Sequence, residues 1–316
     1  MRDDFILAVS PSAEYRVMPF TGSTAQFIAD RRHIWSPATT RSYAQSARSR
    51  FPTLQDLPLD ALTSHVIQEA IGLEAQKTTA STIHNGWALL HQVLDTYLPD
   101  APRWRVRLPK RKPPDLFTPS DEDMQRLVDA MPDTFSEPTR FAALTGLRRE
   151  EVCALHWDAV DLENRKLYVR RVLVQDENNN WHDLERTKTN KSRRVVDLPS
   201  AAIELLQALP CADERVFPLI KTPNSLSRAA VRTRKKVGLS QFRFHDTRRY
   251  RVTADLELGI PVKYLQEQVG HTIATQTHHY ESVRESARAG YISMRDNKLR
   301  GLRKKQPKTQ PNVSKT

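Results

Sequence analysis

From residue 21 to about residue 100, apolar residues recur at the spacing of amphipathic helices. Phe27, Ile28, Trp35, Tyr43, Val66, Ile67, Ile71, Ile83, Trp87, Leu90, Val93, Leu94 and Tyr97 supply the inner faces of about four helices, punctuated by Pro37 and Pro52. Residues 1–20 carry no strong period and read as a loose arm. Over 101–114 the pattern stops: six of the residues are Lys or Arg, four are Pro and none is acidic. Proline bars regular structure there, and the segment marks a boundary between two lobes.

The second lobe opens at Thr118-Pro119-Ser120-Asp121-Glu122-Asp123. A hydroxyl cap, a proline at the first helical position and acids in the first turn predict a helix start. Met124, Leu127, Val128 and Met131 form its apolar stripe. Further helices are expected over about 138–145, stopping at Gly146, and over about 150–156. Residues 166–174 alternate like a strand, the turn 176–180 suggests a hairpin, and 193–198 reads as another strand. Helices then follow at about 200–209, 225–237, 246–258, 261–269 and 282–294, with a basic tail that frays. The expected fold is mainly α with a small β-sheet, an α+β chain. It comprises an arm (1–20), a helical lobe (21–100), a basic linker (101–114), a mixed lobe (115–294) and a tail (295–316).

Composition narrows the function. A chain of 316 residues suits two domains, and 39% hydrophobic content allows a core in each. The net charge of +12 favours a polyanionic partner, nucleic acid first and an anionic membrane surface second. No membrane role is expected, because the longest N-terminal apolar run, 5–9, is too short for a signal peptide or a span. Cys153 and Cys211 form no CxxC pair, so neither a disulfide framework nor a zinc finger is indicated, which suits a reducing cytoplasm. Candidate phosphate contacts are Arg31, Arg32, His33, Arg41, Arg48, Arg50 and Lys77 in the helical lobe and Arg105, Arg107, Lys110 and Arg111 in the linker. Solvated charges and a solvated spacer are the plainer alternatives.

Four stretches carry candidate chemistry. They are Thr145-Gly146-Leu147-Arg148-Arg149-Glu150-Glu151; Arg186-Thr187-Lys188-Thr189-Asn190-Lys191-Ser192-Arg193-Arg194; Phe244-His245-Asp246-Thr247-Arg248-Arg249-Tyr250; and Val269-Gly270-His271 running on to Tyr280. Metal-free phosphodiester cleavage needs a nucleophile, cationic donors on the non-bridging oxygens, a proton source for the leaving oxygen and a base. Arginine suits the donor role because its planar fork binds phosphate bidentately and stays charged. His245 and Arg248, three apart, share a helix face. Alternatives remain for each stretch: Arg148 pairing with Glu151 or capping a helix, a solvated basic hairpin, a structural His-x-x-Arg. His271, His278 and His279 lack a carboxylate or cysteine in a ligand spacing, so no metal site is assigned.

In order and spacing these stretches resemble the active-site boxes of the tyrosine recombinases, the integrase family that cuts DNA with a tyrosine. The resemblance covers about 118–294; the lobe before it resembles the family's core-binding domain in length, position and helical pattern. It implies that Arg148 is the first phosphate clamp, buttressed by Glu151, and Arg248 the second. His245 is then the acid/base partner of the nucleophile, and Lys188, with Lys191 as competitor, protonates the leaving 5′ oxygen. His271 donates to a non-bridging oxygen, and Tyr280, nine residues on, is the nucleophile. Thr247 and Val269 stand where the family usually has leucine, which leaves the active side chains intact.

The implied reaction forms a 3′-phosphotyrosyl link and frees a 5′-hydroxyl that attacks the partner strand's link, with no cofactor, ATP or metal. Implied partners are double-stranded DNA with specific recombination sites, three further protomers in a synaptic tetramer, and an accessory bending or directionality factor. The location would be the cytoplasm, on the nucleoid. Only about 20 residues precede the helical lobe, too few for an arm-binding domain, which favours a compact integrase or a resolvase-like recombinase; the long hairpin around 178–181 and the Thr-Lys-Thr box look more like phage and conjugative-element integrases than like chromosome-dimer resolvers. The alternatives are a decayed sequence-specific DNA-binding protein and a type IB topoisomerase-like enzyme.

Overall fold

The helix starts of the first lobe are set by hydroxyl caps. Ser36, Thr63 and Thr79 each accept a hydrogen bond from a backbone N–H in the first turn of the helix that follows. In the computed structural model, which describes residues 13–101, 103–113, 116–185 and 194–270, four helices result. After a short α1 (Ala13–Val17) they are α2 (Phe20–Arg31), α3 (Pro37–Ser49), α4 (Ser64–Ala75) and α5 (Ala80–Tyr97). All thirteen residues assigned to inner faces lie in or against one core cluster; Ile67, Ile83, Leu90, Val93 and Leu94 are fully enclosed. The arm expected over 1–20 needs correcting at its end. Tyr15 of α1 stacks on Tyr97 with ring centroids 4.4 Å apart, and Phe20 is buried, because aromatic surface there is worth removing from water.

The linker is also more ordered than a solvated spacer. Residues 103–108 alternate: Trp104, Val106 and Leu108 pack against the helical core, while Arg103, Arg105 and Arg107 face solvent. Its backbone is held by α4: the Arg105 N–H donates to Ser64 Oγ (3.0 Å) and the Arg107 N–H to Gln68 Oε1 (2.7 Å). The Trp104 side chain is held just ahead of that helix, its Nε1 donating to the Leu62 carbonyl (2.7 Å). Proline keeps the segment extended, and extended chain sends alternate side chains to opposite sides.

The second lobe opens with α6 (Asp121–Asp129). Its cap is Ser120 rather than Thr118, since Asp123 reaches back to the Ser120 N–H and completes a capping box. Helix α7 (Asp133–Thr145) starts earlier than expected and carries Pro138 inside it at the cost of one backbone bond. Helix α8 is short (Arg149–Cys153). Strands β1 (Val160–Asp161), β2 (Lys166–Val169) and β5 (Arg194–Asp197) form an antiparallel sheet in the order β1-β2-β5, with Leu167 opposite Val196. Helices α9 (Ser200–Ala208), α10 (Pro223–Lys236), α11 (Asp246–Glu257) and α12 (Val262–Val269) follow. Phe141, Val152, Leu167, Val196, Phe242, Val252 and Leu265 build the core.

The strand expected over 166–174 is two strands. The chain breaks at Arg170, and β3 (Arg171–Gln175) pairs with β4 (Trp181–Glu185) in a separate hairpin. Its turn forms where expected: the Asp176 carboxylate accepts from the N–H groups of Asn178 and Asn180, and Asn179 takes φ 69°. The expected single small sheet is therefore two sheets. The chain forms two compact units. The first takes the described residues up to Leu116 together with Arg171–Glu185, and the second takes the rest. Within the first unit β3 packs on α3, and Arg32 pairs with Glu177 at 2.8 Å. Lys188, His271, Tyr280, the helix expected at 282–294 and the tail lie outside the described residues.

Candidate active site

The second unit's site is built around one buried carboxylate. Helix α7 ends at Gly146 in the left-handed region (φ 69°). A Cβ there would meet Val269 Cγ1 at 3.1 Å, so both backbone angle and space call for glycine. The turn places Arg148 just ahead of α8. There its N–H donates to Glu151 Oε2 (2.8 Å) and its Nη1 to Glu151 Oε1 (3.0 Å). Glu151 is buried at 2% exposure, and Arg148 keeps 31% of its side chain open. The two sequence readings of Arg148, clamp or ion-pair partner, are thus compatible. A single carboxylate holds one edge of the guanidinium while part of it faces out.

Arg148 and His245 line one cavity of about 310 Å³, together with Arg149, Glu150, Ser227, Arg243 and Phe244. Three guanidinium groups and one imidazole, set against the single carboxylate of Glu150, leave the lining net positive and suited to an anion such as phosphate. Arg149 is fastened by Ser227 (Nη1 to Oγ, 2.6 Å) and by Glu150 (Nε to Oε1, 3.0 Å). His245 lies at the start of α11. Burial among protein atoms, then the charges of Arg248, Arg249 and Arg148, pull its pKa down towards about 4, against an opposing pull from Glu150. Solvent reaches the residue and moderates the desolvation. The neighbouring arginines act in the same direction, so the imidazole's pKa is lowered and its neutral, proton-accepting form is favoured.

Arg248, expected as the second phosphate clamp, is wholly buried in this structure. It has 0% exposure, and its guanidinium donates to the carbonyls of Gly146 (Nη1, 2.6 Å) and Val269 (Nη2). The cause is electrostatic. Helix C-termini leave carbonyls without intrahelical partners and carry partial negative charge, and α7 and α12 both end beside this side chain. The three carbonyls that close α12 each accept from an arginine. Gln268 is met by Arg194 Nε (2.7 Å), Val269 by Arg248 and Gly270 by Arg148 Nη2 (3.0 Å). Sequence reading missed Arg194 and the cavity residues Arg149, Ser227 and Arg243. Arg194 had a signal: it shares a strand face with Val196 and Leu198, both buried.

Of the candidate phosphate contacts in the first unit, Lys77, Arg105, Arg107, Lys110 and Arg111 are exposed. Arg41 is half-buried and donates to Asn179 Oδ1 of the hairpin turn (3.4 Å). Arg31 lies over the Phe27 ring (3.8 Å), and Arg50 pairs with Glu74 (3.4 Å). Arg228, Arg232, Lys235 and Lys236 on the exposed side of α10 form a basic stripe that apolar spacing alone did not single out. Among the described residues no three His, Cys, Asp or Glu side chains gather as a metal site, and no helix is long and apolar enough to cross a membrane.

The chain is 27% identical over 266 residues to the integrase of Salmonella phage P22, covering 78% of this chain and 61% of that protein. It is 26% identical over 187 residues to a XerC-like tyrosine recombinase of Caldanaerobacter subterraneus subsp. tengcongensis, covering 50% and 48%. It thus spans less than two thirds of either relative. In fold it is similar to the Tn1549 transposon integrase solved with transposon right end DNA, at TM-score 0.67 and 17% identity, covering 88% of this chain and all of that one. A lambda integrase solved as a tetramer on a Holliday junction gives TM-score 0.62 at 17% identity, covering 84% and 78%. The profile described as the phage integrase family matches residues 120–286, more than half the chain, and the chain belongs to that family.

Proposed function

We propose that this protein is a site-specific DNA recombinase of a phage or other mobile element, which cuts and rejoins strands through a 3′-phosphotyrosyl intermediate. The observation that carries the reading is the cavity in which Arg148, steadied by Glu151, stands beside His245. Arg148 and Arg248 take the non-bridging oxygens of the scissile phosphate, and His271 adds a third donor. For Arg248 this means exchanging helix-end carbonyls for phosphate oxygens. His245 accepts the phenolic proton as the Tyr280 oxygen bonds to phosphorus. The bond to the 5′ oxygen breaks, and Lys188 supplies that oxygen's proton. The phosphoester energy is kept in the tyrosyl link, so the cycle balances without ATP or a metal, and attack by a 5′-hydroxyl reverses it.

The relatives support a DNA substrate, since the Tn1549 and lambda enzymes were solved on DNA. Exposed cations of the linker and α10 suit phosphate contact. We assign the first unit to gripping the duplex, the second to chemistry, and a tetramer on paired sites to strand exchange, with an accessory bending or directionality factor where the site requires one and a place on the cytoplasmic nucleoid. Tyr280→Phe removes only the phenolic oxygen. Site binding persists, and the covalent adduct on a nicked suicide substrate disappears, whereas the wild type forms it equally with and without EDTA. A phenylalanine variant that still forms the adduct at the wild-type level overturns the assignment.

A further inference from the structure

We infer that Arg194 is a positioning residue of the cleavage site, fixing the outward pose of Arg148 by saturating Glu151. The activity arm of this inference rests on the recombinase reading above. Arg194 opens β5 and is almost wholly buried, at 5% side-chain exposure. Its two terminal nitrogens straddle the Glu151 carboxylate (Nη1 to Oε1 3.0 Å, Nη2 to Oε2 2.8 Å), and its Nε holds the Gln268 carbonyl (2.7 Å). Glu151 therefore serves at least two guanidinium groups. One is buried and bidentate; another, Arg148, touches it through Nη1 and through its backbone N–H. This sharing has an electrostatic consequence. A buried carboxylate with only one arginine nearby draws that arginine into a paired, bidentate contact. Arg194 occupies both carboxylate oxygens with its terminal nitrogens, so the Arg148 guanidinium meets Glu151 through Nη1 alone and stays open at the cavity wall.

The same side chain follows one chemical segment in the chain and packs against the residue that precedes another. Residues 186–193, which include Lys188, run directly into it. Gly270, the residue before His271, has φ 64°, and a Cβ on it would meet Arg194 Cδ at 3.2 Å. Further along β5, Asp197 is bolted to α12, its N–H donating to Gln268 Oε1 (2.7 Å) and its carboxylate accepting from Tyr264 (2.7 Å). The strand after the lysine and the helix before the histidine are joined at both ends, with Arg194 at the end nearest the cavity.

The test is a double-substitution cycle on the full chain, with cleavage of a suicide substrate and site affinity measured in parallel. Arg194→Gln slows adduct formation on the order of 100-fold, the scale of a misplaced catalytic group, with site affinity unchanged. Adding Glu151→Gln removes the carboxylate that would capture Arg148 and recovers about 10-fold of that loss, a sign that simple loss of packing does not produce. Arg194→Lys keeps a cation by Glu151 but cannot span both oxygens, so it stays slow; it carries the test if Arg194→Gln does not fold. Wild-type cleavage rates in Arg194→Gln or Arg194→Lys, or a double variant no faster than Arg194→Gln, overturn the inference. A wild-type protein that forms no adduct overturns the recombinase reading instead. In that case the Arg148 side-chain Nε–H resonance decides: it shifts in Arg194→Gln, and an unmoved resonance rejects positioning.

Discussion

At the scale of single residues, His245 makes a pH prediction whose sign follows from its surroundings. Burial and neighbouring arginines lower its pKa below the unfolded value, so the unfolded chain binds the proton more readily. Its contribution to stability is therefore complete above an ordinary histidine pKa of about 6.5 and is lost as pH falls towards the folded value. Urea titrations at a series of pH values should show the wild type losing more stability on acidification over that window than His245→Gln; equal losses would mean His245 is not held in its neutral form. In the proposed reading Lys188 is the general acid, preferred to Lys191 for its match to the family's Lys-Thr pair. Lys188→Ala should slow cleavage by roughly 10²–10⁴-fold, the usual worth of general acid catalysis, and a 5′-bridging phosphorothiolate, whose sulfur leaves without a proton, should largely restore the rate. A variant that stays slow on that substrate moves the acid role to Lys191.

At the scale of elements, the linker separates two effects that its sequence merges. Trp104 packs inward and donates to Leu62, so Trp104→Ala should destabilise the first unit by about 2–4 kcal/mol, in the range of large-to-small changes at partly to fully buried sites. Arg105 and Arg107 alternate with it on the solvent side, beside Lys110 and Arg111. Neutralising these four should leave thermal stability alone and flatten the salt dependence of DNA binding by about 0.9 in slope for each phosphate that is no longer neutralised. An unchanged slope would mean that the linker does not touch DNA. Both effects come from one alternation, Arg-Trp-Arg-Val-Arg-Leu, which was visible in the sequence; the proline content masked it as a spacer.

At the scale of the whole molecule, the chain order and the spatial grouping differ. Residues 171–185 sit between stretches of the second unit yet group with the first, where β3 packs on α3 and Leu173 is 2% exposed. Leu173→Ala should therefore weaken the first unit by about 2–5 kcal/mol. Four of the five tryptophans, Trp35, Trp87, Trp104 and Trp181, belong to that unit, so the change should appear in the fluorescence-detected unfolding transition. A transition that does not move would detach the hairpin from the first unit's core.

Local chemistry determined much of this protein in advance. Helical periodicity identified the thirteen inner-face residues of the first unit, Asp176 and the asparagines marked the hairpin turn, and Gly146-Leu147-Arg148 with Glu151 three residues later marked the turn that presents the candidate clamp. Each of these depends on contacts within a few residues, or on which face of one element is apolar. Tertiary structure decided the rest. The division of 166–174 at Arg170 reflects which partner each half-strand found, and the hairpin's place depends on α3, more than 120 residues earlier in the chain. The burial of Arg248 and the sharing of Glu151 between Arg148 and Arg194 were equally out of local reach. A buried cation is stable only where distant elements bring unpaired carbonyls and carboxylates to it, and no spacing along the sequence records that meeting.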